Sequence, residues 1–216
     1  MPGTLRSTLE ICEYPQREIG AARFDSYGCS VARKPRVEVE RGFYHVVTRG
    51  NDRQPIYFAN WSGKLFEKLL GQTAVRFDWE VLAYCLMSNH YHLVVRIRDD
   101  GLSAGICELN GSFAKLTNRR LERSNHLFGR RFWCQLIESD EYLLEACRYT
   151  LLNPERAGAV DDSRRWRWSS LAATLGYVYT PPFLATDRLL ALFGRDPVQA
   201  RARFAIFVEA GRGGSG

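Results

Sequence analysis

The chain has 216 residues, of which 45% are hydrophobic and 25% are charged, a composition typical of a soluble globular protein. No apolar run approaches the roughly 18 residues needed to cross a bilayer. Residues 1–20 also lack the continuous apolar core of a signal peptide. We therefore expect a cytoplasmic protein with no membrane partner, and the formal net charge of +6 favours a polyanionic partner such as nucleic acid.

Three segments of the chain differ in pattern. Residues 1–35 mix proline, glycine and charge without a period, which predicts a disordered extension. Residues 36–176 contain well-defined strand and helix patterns, which predict a folded domain. Residues 177–216 are predicted to form a helical C-terminal tail.

The first half of the domain shows both strand and helix periodicity. In chain order the predicted elements are a strand over residues 42–49, a turn at Gly50-Asn51, a helix over 61–75, and strands over 79–87 and 90–97. Only Ser88-Asn89 separates the last two strands, which predicts a tight hairpin.

The second half begins with an amphipathic helix, because apolar residues recur there at spacings of 4, 3, 4 and 3 from Leu102 to Leu116. Residues 132–137 predict a fourth strand. Ser139 or Asp140 can cap a helix over 141–153. We expect Pro154 to end this helix, since the residue before a proline is pushed out of helical geometry. The last predicted helices cover residues 169–176 and 187–210.

The predicted order β-α-β-β-α-β-α matches the split βαβ pattern of a ferredoxin-like α+β sandwich. We expect one antiparallel sheet with helices on one face and the other face open, followed by additional C-terminal helices. The strand over residues 90–97 is predicted to be central in this sheet.

His90 and His92 are the first candidates for chemistry. Positions i and i+2 of a strand point to the same face, so both imidazoles project together while Tyr91 faces the opposite side. Two adjacent imidazoles can hold a metal ion. The alternative interpretation is two histidines on a solvated strand face.

A second candidate set lies on the helix predicted over residues 141–153. Tyr142, Ala146, Tyr149 and Asn153 are spaced by 4, 3 and 4 residues and therefore share one helix face. Tyr149 offers a phenol that could attack a phosphodiester beside a metal ion, and Asn153 offers an amide oxygen. The alternative is that the tyrosine simply packs.

Four blocks of sequence, in this order and spacing, resemble the REP-associated tyrosine transposases of the single-tyrosine HUH superfamily, to which the small insertion-sequence transposases also belong. The similarity covers about residues 32–176, which include the folded domain predicted above. The blocks are Tyr44-His-Val-Val-Thr-Arg-Gly-Asn51, Tyr84-Cys-Leu-Met-Ser-Asn-His-Tyr-His-Leu93, His126-Leu-Phe-Gly-Arg-Arg-Phe132 and Arg148-Tyr-Thr-Leu-Leu-Asn-Pro-Glu-Arg-Ala-Gly158.

The resemblance implies a role for each candidate. His90 and His92 match the histidine pair that holds the metal, Tyr149 matches the nucleophile, and Asn153 matches a third, amide-type ligand. His45 is expected to be structural or to contact DNA. In such enzymes Mg²⁺ or Mn²⁺ polarises the scissile phosphate, and the tyrosine forms a 5′-phosphotyrosine link that frees a 3′-hydroxyl. Imidazole ligands alone do not choose the metal, because Mg²⁺ prefers oxygen.

Three sets of residues are candidates for binding single-stranded or hairpin DNA. Cations contact phosphates without regard to sequence, and one basic cluster comprises Lys115, Arg119, Arg120, Arg130 and Arg131. The first turn resembles the part of the family that contacts palindromic hairpins, and its candidates are Arg49, Asn51, Arg53 and Gln54. Arg164-Arg-Trp-Arg-Trp168 interleaves cations with indoles that could stack on bases, although we expect one indole to pack on the core.

These features favour a metal-dependent nuclease and strand transferase that acts on palindromic hairpin repeats. One alternative is a non-catalytic module that binds nucleic acid hairpins, since ferredoxin-like sheets often bind RNA. A zinc hydrolase built on His90 and His92 is a further alternative, but it lacks a visible third ligand of the usual type. Related insertion-sequence enzymes form dimers, whereas the REP-associated branch resembles monomers.

Overall fold

The computed structural model describes residues 42–99, 101–129 and 131–212, so the extension predicted over residues 1–35 lies outside the described residues. Ten main elements follow one another, together with two short 3-10 turns at Asn51–Arg53 and Ser163–Arg165. They are β1 Phe43–Arg49, α1 Asn60–Arg76, β2 Glu80–Leu86, β3 His90–Arg96, α2 Leu102–Arg120, β4 Trp133–Ile137, α3 Asp140–Arg156, α4 Leu171–Thr174, α5 Thr186–Ala191 and α6 Pro197–Ala210.

The four strands form one sheet in the order β2-β3-β1-β4, and every neighbouring pair is antiparallel. This is the arrangement expected of a split βαβ sandwich, so the predicted fold class is confirmed. β3 lies between β2 and β1 and is therefore a central strand. In the pairing of β1 with β3, Arg49 is opposite His90 and Val47 is opposite His92.

Helices cover both faces of the sheet. On one face, α1 and α2 pack through Phe66 and Phe113 against Tyr91, Leu93 and neighbouring residues of the strands. On the other face, α3, α5 and α6 form a second core with strand residues such as Val94. The expectation of an open second face was wrong, because β2 and β3 carry apolar residues on both sides and burying these residues stabilises the fold.

The start of helix α3 agrees with the prediction from the sequence, but its end does not. The Ser139 side chain accepts a hydrogen bond from the Tyr142 backbone N–H, as predicted for the cap. The helix does not end before Pro154 but continues through it to Arg156. Pro154 lies in the last turn, where it removes only the hydrogen bond to the Thr150 carbonyl, and the buried residues of this turn keep their helical geometry.

The C-terminal segment contains two helices where one was predicted over residues 187–210. The break lies at residues 192–196, where Gly194 has a φ of +144°. The Asp196 side chain then caps α6, and Pro197 occupies its first position. The domain boundary at residue 176 stays a prediction. Among the described residues, no helix is both long and apolar enough to cross a membrane.

Candidate active site on the α3 face of the sheet

Strand alternation directs two of the four histidines of the chain from β3 towards α3. The rings of His90 and His92 have their centres 5.0 Å apart, as expected for positions i and i+2 of one strand. Their intervening residue, Tyr91, lies in the core on the opposite face. The predicted placement of the two imidazoles on one surface thus agrees with the geometry.

His45 joins this pair from the neighbouring strand β1. Its Nε2 lies 3.1 Å from Nδ1 of His92, and the two rings stack with their centres 5.4 Å apart. Only 4% of His45 is exposed, so the side chain is enclosed rather than available for contact with DNA. The geometry supports a structural role for His45, which was one of the two roles expected. Its imidazole contacts Nδ1 of His92 and so holds the His92 ring in place.

Tyr149 reaches the histidines from α3. The centre of its ring is 5.5 Å from that of His92 and 6.1 Å from that of His45. The helix therefore places a phenol next to the paired imidazoles, although the residues are far apart in sequence. A phenol in this position could act on a phosphate group that enters between the helix and the strand.

Asn153 follows Tyr149 by one helical turn and is buried. Its side chain approaches His90 and favours the protonated form of that imidazole. The contact falls short of hydrogen-bond geometry at the amide oxygen, which is buried and has no donor among the described residues. A buried acceptor without a donor is rare and is often explained by an ion or water.

Burial keeps the three histidines neutral at physiological pH. It is the main reason why the pKa of His45 and of His90 is lowered to about 4, and the nearby charge of Arg49 contributes to the lowering at His90. The pKa of His92 lies well below its ordinary value, first because of burial and then because of His90, His45 and Arg49. Neutral imidazoles have the lone pairs that metal ions require.

The donor set fits a divalent cation bound by two imidazoles and one amide oxygen. Within the described ranges, no group of three or more His, Cys, Asp and Glu side chains is placed to share a metal ion. A zinc hydrolase with three such ligands is therefore not supported. Asn153 lies beside His90, and His90 lies beside His92, so the three predicted ligands are neighbours, while their role in metal binding stays a prediction.

The first turn lies at the end of the sheet where β3 begins. The Gly50 N–H donates to the Asn89 carbonyl at 2.8 Å, and the Asn89 amide donates to the Arg53 carbonyl at 3.2 Å. The Asn51 N–H donates to the Leu127 carbonyl at 3.0 Å. The predicted hairpin contacts Asn51, Arg53 and Gln54 thus stand next to the turn that precedes His90, and the last two are exposed.

The predicted basic cluster lies apart from the histidines. Lys115, Arg119 and Arg120 are exposed on the last turns of α2, and Arg131 is exposed in the following loop. The guanidinium carbon of Arg120 is 4.6 Å from the centre of the Trp61 ring. Arg130 lies outside the described residues.

Both indoles of the Arg164–Trp168 segment are engaged within the protein. Trp166 donates to the Leu86 carbonyl at 3.0 Å, and Trp168 donates to the Tyr57 hydroxyl at 2.8 Å. We expected one of the two to pack, whereas both pack against the α1 side of the sheet. These indoles are enclosed because the chain passes along the edge strand β2 before it reaches α4, as the β-bridge between Cys85 and Ser169 shows.

Two arginines lie closer to the site than the sequence suggests. Arg156, which had no predicted role, holds its guanidinium carbon 5.1 Å from the centre of the Tyr149 ring. Arg49, expected to contact a hairpin, is the register partner of His90, and its charge reaches both His90 and His92. Arg156 follows Tyr149 by seven residues, or two helical turns, and this spacing could have identified it from the sequence.

Comparison with known proteins identifies the family. The chain matches the family described as Transposase IS200 like over residues 38–149, which are 112 of its 216 residues. A protein from Haemophilus influenzae assigned as a REP-associated tyrosine transposase is 27% identical over 140 residues, which cover 60% of this chain and 79% of the relative.

A solved structure, that of a REP-associated tyrosine transposase bound to a REP hairpin, has the same fold. The TM-score is 0.59 with 16% sequence identity, and the match covers 70% of this chain and 89% of the other. The family match spans more than half of the chain and confirms the resemblance seen in the four sequence blocks. The protein belongs to the IS200-like transposase family and is an enzyme of the transposase kind.

Proposed function

We propose that the protein is a metal-dependent endonuclease and strand transferase that acts on single-stranded DNA with palindromic hairpin repeats. The observation that carries this proposal is the position of the Tyr149 ring, 5.5 Å from His92 and one turn before the orphaned amide oxygen of Asn153. A phenol, two neutral imidazoles and a buried amide oxygen then lie next to one another, an arrangement that phosphodiester cleavage can use.

Tyr149 is the proposed nucleophile. Its hydroxyl loses a proton to solvent, and the phenolic oxygen forms a bond to the phosphorus of the scissile phosphodiester. The bond from phosphorus to the 3′-oxygen breaks, and this oxygen takes up a proton to become a free 3′-hydroxyl. The product is a 5′-phosphotyrosine link of similar energy to the bond that was broken, so the reverse attack by a 3′-hydroxyl rejoins DNA without ATP.

His90, His92 and Asn153 are the proposed ligands of Mg²⁺ or Mn²⁺. Such a cation, when bound, withdraws charge from the scissile phosphate and makes the phosphorus more electrophilic. The two imidazoles suit a transition metal such as Mn²⁺, whereas Mg²⁺ relies more on oxygen from Asn153, phosphate and water. His45 keeps the His92 ring in place through the 3.1 Å contact between their nitrogens.

The proposed DNA substrate follows from the relatives and from the location of the first turn. The relatives are named for REP-associated activity, and the solved one was bound to a REP hairpin. In this chain the exposed side chains of Arg53 and Gln54 stand next to the turn before His90, where a hairpin could be held beside the site. Further phosphate contacts are proposed for Asn51, Lys115, Arg119, Arg120, Arg130 and Arg131.

A covalent-adduct assay tests the proposal. Wild-type protein is incubated with Mn²⁺ and a single-stranded oligonucleotide that carries a palindromic repeat from the DNA flanking the gene. We expect a protein–DNA adduct with a 5′-phosphotyrosine at Tyr149, and we expect Tyr149→Phe to form none. An adduct in Tyr149→Phe would reject this nucleophile. Hairpin binding that EDTA does not affect, with no adduct from the wild type, would indicate a non-catalytic binding module instead.

A further inference from the structure

Arg156 shares the inner face of α3 with the proposed nucleophile. Tyr149, Asn153 and Arg156 are spaced by four and three residues, so all three point to the same side of the helix. The guanidinium carbon of Arg156 is 5.1 Å from the centre of the Tyr149 ring. The arginine itself is exposed and lies in the last turn of the helix, where the site opens to solvent.

Arg49 approaches the same space from the sheet. It ends β1 directly opposite His90, and strand alternation places it on the face of His45. His90 is its direct partner across the two strands, and His92 is opposite Val47, two residues before Arg49. The proposed nucleophile and metal ligands are thus flanked by one cation from β1 and one from α3.

Neither of these two arginines forms an ion pair with a carboxylate of the described residues. Across residues 42–99, 101–129 and 131–212, the ion pairs involve other cations, such as Arg96 with Glu80 and Arg148 with Glu145. Two guanidinium groups with no carboxylate partner among the described residues, one beside Tyr149 and one opposite His90, give the site a positive potential suited to an anion. The helix dipole stabilises a cation near the C-terminus of a helix whichever way its side chain points. It therefore does not explain why Arg156 points at Tyr149.

We propose that Arg156 and Arg49 form a clamp for the reacting phosphate group, in which Arg156 binds a non-bridging oxygen next to the Tyr149 hydroxyl. This inference rests on the proposed role of Tyr149 as the nucleophile. Guanidinium groups donate charge-assisted, bidentate hydrogen bonds to phosphate oxygens. As the bond from Tyr149 to phosphorus forms and the bond to the 3′-oxygen breaks, negative charge on those oxygens grows, and the clamp stabilises the transition state more than the bound substrate.

The test compares charged and neutral scissile linkages in the full-length protein. The substrate is the palindromic oligonucleotide with Mn²⁺, first unmodified and then with one methylphosphonate at the mapped scissile position, using each diastereomer separately. A methylphosphonate has a methyl group in place of one charged non-bridging oxygen. A cation that binds this oxygen therefore loses the negative charge that it would stabilise. The measured quantity is the single-turnover rate of adduct formation by wild-type protein and Arg156→Ala.

We expect Arg156→Ala to slow the reaction of unmodified DNA by about 100-fold, the usual loss when one group that stabilises transition-state charge is removed. On one methylphosphonate diastereomer the wild type and Arg156→Ala should react at the same rate. Arg156→Lys should lie between them, because lysine keeps the charge but loses the bidentate geometry. Arg49→Ala should show the same pattern, because both arms of the clamp act on the phosphate.

Arg148→Ala is the matched control, because Arg148 also lies over an aromatic ring, that of Phe207, but on a different face of the same helix. Any loss of activity in this variant should be the same on charged and neutral linkages. A loss in Arg156→Ala that is equal on both linkages, or no loss at all, would overturn the clamp while leaving the nucleophile intact. Absence of any adduct from wild-type protein on unmodified DNA would reject the nucleophile, and the clamp with it.

Discussion

Replacing His45 with phenylalanine removes a buried hydrogen bond at the candidate metal site without removing a proposed ligand. His45 Nε2 lies 3.1 Å from His92 Nδ1, and both rings are buried. Phenylalanine keeps an aromatic ring that can stack on His92, as the imidazole does at 5.4 Å, but it has no nitrogen. The substitution therefore isolates the hydrogen bond from the packing.

Two effects of different size follow for His45→Phe. Loss of this partner for a buried ring nitrogen should lower the free energy of unfolding by about 1–3 kcal/mol. For a domain of this size each kcal/mol corresponds to a fall in Tm of about 2–4 °C. The second effect concerns metal binding. When the Nδ1–H of His92 donates to His45, the Nε2 of His92 keeps its lone pair for a cation. Losing such an orienting partner typically weakens metal binding by about 10- to 100-fold.

Titration with Mn²⁺, followed by electron paramagnetic resonance, measures the metal effect separately from thermal unfolding in EDTA. His45→Gln, whose amide oxygen can accept the same hydrogen bond, should restore part of the affinity. Tyr149→Phe is the matched control, since it alters a neighbouring ring but no proposed ligand, and its Mn²⁺ affinity should equal that of the wild type. Unchanged Mn²⁺ affinity in His45→Phe, with or without a lower Tm, would refute the proposed orienting role.

Three further predictions concern acid stability, packing and DNA binding. In EDTA the free energy of unfolding should fall as the pH is lowered from 6.5 towards 4. The reason is that His45 and His90 have their ordinary pKa of 6.5 in the unfolded chain but a pKa of about 4 in the folded protein, so the unfolded chain binds more protons in this range. A denaturation midpoint that stays constant across this range would contradict the prediction. Gly63→Ala should destabilise by about 1–3 kcal/mol, because a Cβ there would lie 2.5 Å from the Trp168 ring. Gly111→Ala, which has nothing within 4 Å, should instead stabilise by about 1 kcal/mol in calorimetry. Arg119→Ala should weaken hairpin binding and reduce the slope of log K against log salt concentration by about 0.9, and an unchanged slope would exclude a phosphate contact.

Local periodicity was sufficient to predict the parts of the site that lie within one element. The spacing of His90 and His92 on a strand places them on one face, and the rings lie 5.0 Å apart as a result. The spacing of Tyr149 and Asn153 on a helix does the same for the phenol and the amide. Both patterns depend only on the geometry of a single strand or helix, which the sequence determines directly.

Contacts between elements could not be predicted in the same way. The hydrogen bond between His45 and His92 joins residues 47 positions apart, and it exists because β1 pairs with β3 in one particular register. The direction of Arg49 depends on the same register. Its position at the end of a strand, next to the first turn, predicts a hairpin contact, and that contact stays a prediction. Pro154 shows a different limit, since tertiary packing of the last turn of α3 overrides the local preference of the residue before proline.

The position of the proposed nucleophile also depends on residues beyond the family match, which ends at residue 149. Helix α3 turns Tyr149 towards His92, while its opposite face packs on α6, where the guanidinium carbon of Arg148 is 4.5 Å from the centre of the Phe207 ring. Gly211 approaches this face so closely that a Cβ there would lie 2.6 Å from the Arg148 side chain.

Arg212 adds an ionic contact on the same outer face of α3. Its Nε donates to the Glu155 carboxylate at 2.7 Å, and another of its nitrogens bonds to Glu209 of α6 at 2.7 Å. Because α3 is held between the sheet and α6, a displacement of α6 would tilt the helix and change the distance from Tyr149 to His92. The proposed nucleophile and the two histidines lie within the family match, whereas Asn153 lies beyond it on the same helix. Because the C-terminal helices hold α3 in place, variants of α6 should change the rate of adduct formation more than the affinity for DNA.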